Sequence, residues 1–553
     1  MDDTRSARET LAPWIEGACL AALALAILAL GGEAVRASYH GYLHAALGES
    51  VLRGGLAPEN PYHAGAPLRY YTLYPLLAAV IGRLGFGPLW VFALVDVLAA
   101  FLLPLAFDAV GGSLGLSFRS RRGAFLAAVL GFNGLGWIGF LLEHGPGNAL
   151  PPVYALMPMT FGSQTFGWDG RLQAFLPKFL NVSSYAIALP FALWALAICA
   201  RAARTTREFV KCALGLAISL ALNPLVGGFA VACAGLWIAP ELWGLGWRRR
   251  IEWSATLVAA GALALPFLLP VLRPAPAGPS MTGRVNLGGN PWSNLLGPIL
   301  LLLPCGLFGL RLLSSTARLR ILAAVAIAAV LVLLGEMPQG NEYKMSRLSG
   351  LLWALPAGAW AARASEKAAR TRWLPAAFAL VCVPTTLAVP WAYLGWGAHA
   401  SELPLEVRAG VLAPRDSGLR SVLEAEASAD PRAVVLLSPF FRGAQAGEGL
   451  VQGDALAPAL RHPLFADLPQ IHNDRAADLG ERLEILAAVY GNESGETVSG
   501  ALSRARSMLP GRPFLVFTED AEREPAASLA RIGATVLARG GACTLWSLAA
   551  RAR

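Results

Sequence analysis

What most limits the fold of this chain is a succession of apolar runs from Leu11 to Trp396, interrupted by short basic clusters. The runs have the length, roughly 17–25 residues, at which a helix crosses the hydrocarbon core of a bilayer. A backbone in lipid must satisfy its own hydrogen bonds, and a helix does so within one segment. The clusters are Arg119, Arg121 and Arg122; Arg201, Arg204, Arg207 and Lys211; Arg248, Arg249 and Arg250; Arg311, Arg318 and Arg320; and Arg363, Lys367, Arg370 and Arg372. Basic loops between spans stay in the cytoplasm, so these five are fixed points of the topology. They also account for the net charge of +9, so no nucleic-acid partner is expected. With 55% hydrophobic and 15% charged residues, the chain lacks the polar surface that a soluble enzyme of 553 residues needs.

Threading the runs between these points predicts about eleven spanning helices. They lie near 13–34, 88–110, 123–142, 183–200, 209–222, 225–243, 252–273, 293–312, 319–336, 347–362 and 373–396. Trp14 to Leu30 lacks a small-residue cleavage site and reads as a retained first helix. If Tyr71 to Phe86 also spanned, the Arg119 cluster would fall outside. It therefore reads as an interfacial or re-entrant helix, with Tyr70, Tyr71 and Tyr74 at headgroup level. An odd count with a cytoplasmic N-terminus puts the tail outside, in a multi-pass protein of a bacterial inner membrane.

The expected fold class is an all-α polytopic membrane domain plus a C-terminal extracytoplasmic α/β domain. The first covers 1–398, with external loops 36–87 and 143–182, and the second covers 399–553. In the tail, Ala433 to Ser438, Pro513 to Thr518 and Ala534 to Ala538 have the pattern of buried strands. Leu479 to Tyr490, Val498 to Leu509 and Asp520 to Ile532 have helical spacing, and the alternation suggests a doubly wound layer. A glycine-rich phosphate loop is missing, so no nucleotide is expected. Six of the seven cysteines sit in apolar segments, and the set builds neither a disulfide framework nor a metal spacing.

The polar constellations outside the basic loops all fall on the external side. In the first loop, His40 can act as a general base near neutral pH or can be a satisfied headgroup-level histidine. His44 lies one helical turn on, and the pair, completed by Glu49 or Glu59, has the donor types for a divalent metal. The second loop carries Trp168-Asp169-Gly170-Arg171 and then Lys178. Its bases suit a phosphate, but Asp169 equally suits a helix cap and Lys178 a snorkelling position. The third, Asn341-Glu342-Tyr343-Lys344 with Arg347, puts charges at the membrane edge, where they pair or face an aqueous cavity. Arg284 and Asn290 are weaker candidates of the same kind, and Asp467 to Asp474 is a polar stretch in the tail. Asp96 and Asp108 are intramembrane acids, the residue type of an ion path.

The order of the first loop carries a resemblance. Tyr39-His40 follows the first span, then come the helix Gly41 to Leu52, Gly54-Gly55, Pro58-Glu59-Asn60-Pro61 and Tyr70-Tyr71 with Tyr74-Pro75. In this order and topology the chain resembles the GT-C superfamily, the multispanning glycosyltransferases that use lipid-phosphate sugar donors. It departs from them where their catalytic carboxylate aligns with Tyr39 or His40. The resemblance implies transfer of a sugar from a polyprenyl-phosphate donor to an extracytoplasmic glycan, lipid or protein, with a divalent cation (Mg or Mn) as an optional aid. Carried onto this sequence, it implies His40 and Asp169 as catalytic residues and Lys178, Arg171, Glu342, Lys344, Arg347 and Tyr70 as substrate contacts. His44 and Glu49 are the metal candidates. The alternatives are a non-catalytic binder of a lipid-linked glycan, which the missing acid favours, and a transporter. A transporter calls for paired broken helices, and only the hairpin 209–243 hints at these.

Overall fold

In a computed structural model of the chain, the described residues are 7–37, 41–55, 57–138, 176–201, 205–242, 244, 246–272, 296, 299–334, 343–366, 372–399, 417–438, 456, 457, 459–466, 478–491, 497–519, 523–540 and 543–549. The apolar runs are helices close to where their spacing puts them: Pro88–Ser113, Ser184–Cys199, Thr206–Leu222, Pro224–Leu242, Trp247–Leu272, Ser315–Leu334, Tyr343–Glu366 and Leu374–His399. Among the described residues, five helices are long and apolar enough to cross a membrane. Local chemistry sets several ends. Thr205 and Glu208 form a reciprocal capping box, so the helix expected from 209 starts at Thr206. The next begins at Pro224, behind Asn223, whose side-chain oxygen accepts from the Val226 amide at 3.2 Å.

The chain divides into two compact units. One comprises Met1–Ser38, Phe92–Pro266 and Met281–His399; the other comprises Tyr39–Val91, Phe267–Ser280 and Ala400–Arg553. The tail from Ala400 and the segment Tyr39–Val91, which holds most of the first long loop, fall in the same unit.

In the first unit, small residues bring helix backbones together. A Cβ on Gly309 would lie 1.7 Å from the Pro356 carbonyl oxygen, and one on Gly358 would lie 2.2 Å from the Ala124 nitrogen. This is the close packing by which helices associate in lipid, where burial of apolar surface supplies little drive. It fixes Tyr343–Glu366 between Phe118–Gly131 and Leu302–Leu310. The Trp353 indole ties it further, donating to the Leu302 carbonyl at 3.1 Å.

In the second unit, Leu73–Ile81 is an α-helix that widens into a π-turn at Gly82–Phe86, and Gly85 (φ 104°) breaks it before Pro88–Ser113 begins. Leu77, Val80, Leu84 and Phe86 are exposed along it. The tail contains a four-stranded sheet: β1 Val434–Leu436, β2 Phe514–Glu519, β3 Thr535–Gly540 and β4 Cys543–Leu548, in the order β1-β2-β4-β3. Among the described strands, β1 and β2 are parallel and β4 is antiparallel to both its neighbours. The expected doubly wound layer is thus corrected to a mixed sheet. The sequence pattern does not announce β4, which pairs antiparallel with β3 where a doubly wound layer would return through a helix.

Candidate functional site

Two groups of polar residues stand out, one in each unit. In the first unit, Tyr343–Glu366 opens with the segment Lys344 to Arg347. Lys344 is half-buried, whereas Arg347 is only 4% exposed, along with Ser346 and Ser349. The Arg347 guanidinium and the Asp96 carboxylate both lie within electrostatic reach of the Tyr393 hydroxyl. That hydroxyl donates to the Asn181 side-chain oxygen. Asp96, Asn181, Arg347 and Tyr393 are all buried, and they come from four separate stretches of sequence. A charge inside a membrane domain is costly unless an opposite charge or a polar cavity meets it, and here an acid, a base, a phenol and an amide share one locality.

The sequence singled out Arg347 and Asp96 without relating them, and gave no role to Asn181 or Tyr393. The available signal was a phenol within a long, mostly apolar run. Asp108, the other intramembrane acid, belongs elsewhere. One of its oxygens accepts from Arg121 Nε at 2.7 Å and from Arg122, which also reaches Glu16. It is tied into the basic cluster and is not a step in an ion path with Asp96.

In the second unit, the helix Gly41–Gly54 packs its buried face on Leu73–Ile81, so closely that a Cβ on Gly48 would lie 2.4 Å from the Pro75 carbonyl oxygen. His44 is buried on that face, edge-on to Tyr70 (ring centroids 5.5 Å apart) and to Tyr74 (5.1 Å). Tyr70 stacks on Tyr71 at 4.0 Å, and its hydroxyl donates to that of Tyr71 at 2.6 Å. Burial, reinforced by Tyr71, pushes the Tyr70 phenol well above its usual range, so it stays a neutral donor.

Glu49 looks away from this group and pairs with Arg83 at 3.2 Å. Glu59 accepts from Arg512 and from the Gly65 amide. The candidate metal ligands in the described part of this loop therefore diverge, and no three His, Cys, Asp or Glu residues among the described ones gather to hold a metal. Their arrangement does not fit a cation held by His44 and Glu49. His40, Asp169, Arg171 and Glu342 lie outside the described residues, as do the side chain of Lys178, Arg284, Asn290 and the stretch Asp467–Asp474.

The helices define a polytopic membrane protein, and its second unit carries a small mixed sheet. No family model and no curated protein sequence matches the chain. Among solved structures it is similar to ArnT from Cupriavidus metallidurans bound to undecaprenyl phosphate, at 13% identity and a TM-score of 0.49 over 98% of each chain. The apo form of that protein gives 12% and 0.45 over 92% of this chain and 93% of the other. An Archaeoglobus fulgidus oligosaccharyltransferase tethered to an acceptor peptide gives 11% and 0.34 over 90% of this chain and 69% of the other.

Proposed function

We propose that the chain is a GT-C-like membrane glycosyltransferase that moves a sugar from a polyprenyl-phosphate donor to an extracytoplasmic acceptor. The observation that carries this reading is the sunken Arg347, grouped with Asp96, Asn181 and Tyr393 in the membrane domain. A guanidinium held there is a natural partner for a phosphate that arrives on a lipid, because Arg offers several donors in a water-poor site. The order of the first loop supports the same reading, and its His44, Tyr70 and Tyr71 pack together as an aromatic group.

In the proposed reaction His40 takes the proton of an acceptor hydroxyl, assisted by Asp169. The freed oxygen attacks the anomeric carbon, and the bond from that carbon to the phosphate oxygen breaks. The lipid phosphate leaves with the electron pair, its charge met by Lys344 and Arg347, with Arg171 and Lys178 as further donors. Glu342 and Tyr70 orient substrate. A divalent cation, Mg or Mn, remains part of the proposal as an aid to the leaving phosphate, but no step is routed through it. The tail lies outside the cytoplasm and the N-terminus within it, in a bacterial inner membrane.

The test is sugar release from labelled polyprenyl-phosphate donors by the purified protein in lipid, for the native chain and for His40→Ala, Asp169→Asn and Arg347→Ala. Turnover that is lost in His40→Ala, with donor binding kept, supports the reading. Tight donor binding without turnover, across several acceptors and cations, replaces it with the non-catalytic binder that Tyr39-His40 in place of an acid would suit.

A further inference from the structure

The turn between Glu59 and Pro67, in the first loop, is built into the tail. Its own frame is an isolated antiparallel bridge between those two residues, closed by the Leu68 amide donating to the Pro58 carbonyl at 2.9 Å. Its tip, Tyr62 to Ala64, is buried, and Ala64 belongs to the same apolar core as Val434, Phe465, Leu486 and Phe514. Two backbone bonds of 2.8 Å join the turn to the tail: Ala64 donates to the Leu464 carbonyl, and Leu464 donates to the Pro61 carbonyl. Gly65 has φ +84°, and a Cβ there would meet Leu509 at 2.8 Å.

One side chain gathers these contacts. Arg482 is 4% exposed, and its Nη1 donates to the carbonyls of Ala64 (2.8 Å) and Phe465 (2.6 Å). Its Nε donates to Asp478 at 2.8 Å, and the other oxygen of Asp478 lies 3.0 Å from the His63 ring nitrogen. The guanidinium also sits 4.9 Å from the centroid of the Phe465 ring. The hold passes from the turn to the helix before it. Ser50 donates to the Glu59 carbonyl, and Arg53 donates to the carbonyls of Leu460 (2.9 Å) and Arg461 (2.6 Å). Both residues lie on Gly41–Gly54, which carries His44 and begins right after His40.

We propose that Arg482, anchored by Asp478, is a positioning residue that fixes the Glu59–Pro67 turn and through it the helix Gly41–Gly54. The tail then acts as a clasp that sets the orientation of the first-loop site. Its catalytic consequence rests on the transferase reading above; the mechanical coupling does not. Arginine suits the task because one planar fork reaches two carbonyls from Nη1 and a carboxylate from Nε in a fixed geometry, whereas the three donors of a lysine converge on a single nitrogen.

The experiment uses the full chain in lipid, with Arg482→Ala, Arg482→Lys and Asp478→Asn, and reads amide hydrogen exchange alongside donor turnover. In Arg482→Ala, exchange across 59–67 and 41–54 should rise at least roughly tenfold while β2 and β4 stay protected, because only the local opening is eased. The kcat should fall by a similar factor with the donor KM nearly unchanged, and Arg482→Lys should recover part of it. If Arg482→Ala does not fold, the isosteric Asp478→Asn carries the test, with a smaller rise confined to the same segments. Unchanged exchange in 59–67 of a folded variant overturns the coupling. Raised exchange there with native kcat overturns the positioning role. A native chain without turnover on any donor sinks the transferase reading alone, and the exchange result then decides the coupling by itself.

Discussion

Replacing Asp108 by Asn should destabilise the membrane domain without touching the Asp96 group. The Asp108 side chain is 9% exposed, and the guanidinium groups of Arg121 and Arg122 that it serves are 6% and 14% exposed. An amide in its place keeps an acceptor oxygen but removes the charge partner that Arg121 has among the described residues. Breaking a buried pair by removing one member costs about 3–5 kcal/mol, because a charge is stranded where water cannot reach it. Arg122 keeps Glu16, which puts the expected loss near the lower bound. A loss of about 3 kcal/mol is roughly a hundredfold shift in the folded-to-unfolded ratio. Equilibrium unfolding in detergent, followed by tryptophan fluorescence, reads this directly. Adding Arg121→Gln should return part of the stability, because the stranded charge goes with it. A single-variant loss below about 1 kcal/mol, or a double variant equal to the sum of the singles, would refute the reasoning.

Three further outcomes follow from the geometry. Gly358→Ala should push apart the helices that hold Arg347 in place, since its Cβ would meet the Ala124 nitrogen at 2.2 Å and the Ser120 carbonyl oxygen at 2.4 Å. A cost of about 1–3 kcal/mol in the same unfolding assay is expected, and a native midpoint would contradict it. Exchange of the Glu59–Pro67 turn should also depend on pH. Burial first, and then Arg482, hold the His63 imidazole below its ordinary value of 6.5, against the opposing pull of Asp478. The neutral ring is the form the fold prefers, so the turn is fully held above pH 6.5 and loosens as pH falls through the depressed value. The charges around it are Asp478, Arg482 and the Glu59–Arg512 pair. Exchange measured from about pH 7.5 to about pH 5, corrected for intrinsic rates, checks the sign, and a flat profile would reject it. Lastly, Glu59→Gln should weaken the hold of Arg512 and of the Gly65 amide. A stability loss of about 1–2 kcal/mol, with increased exchange at Gly65, is the expected reading.

The spans were readable because lipid imposes one rule, a long apolar helix, and because basic clusters mark its ends. Thr205 and Glu208 even announce the start of their helix three residues apart. What the sequence hides is proximity across the fold. Tyr393 meets Asn181 across 212 positions, and Arg512 meets Glu59 across 453. Neither pair lies within any window over which periodicity or capping operates. The strand β4 was hidden for a different reason. Expecting alternating strands and helices left no room for an antiparallel partner directly after β3. Glu49 and His44 looked like joint ligands on spacing alone, but five residues of helix point them at different neighbours, Arg83 and the tyrosines.

The joining of Ala64 to the core of the tail also sets a timetable for synthesis. Arg482 is made 418 residues after the carbonyl it will hold. At roughly 5–20 residues per second, that is a wait of about 20–80 s during which the Glu59–Pro67 turn has no place to go. Through that interval the Glu59–Pro67 turn lacks the backbone and guanidinium partners that Leu464 and Arg482 supply in the folded chain. A chain cut short before the helix Leu479–Tyr490 would carry the fault permanently, at its opposite end. The order of synthesis therefore leaves this turn to be closed by residues made long after it.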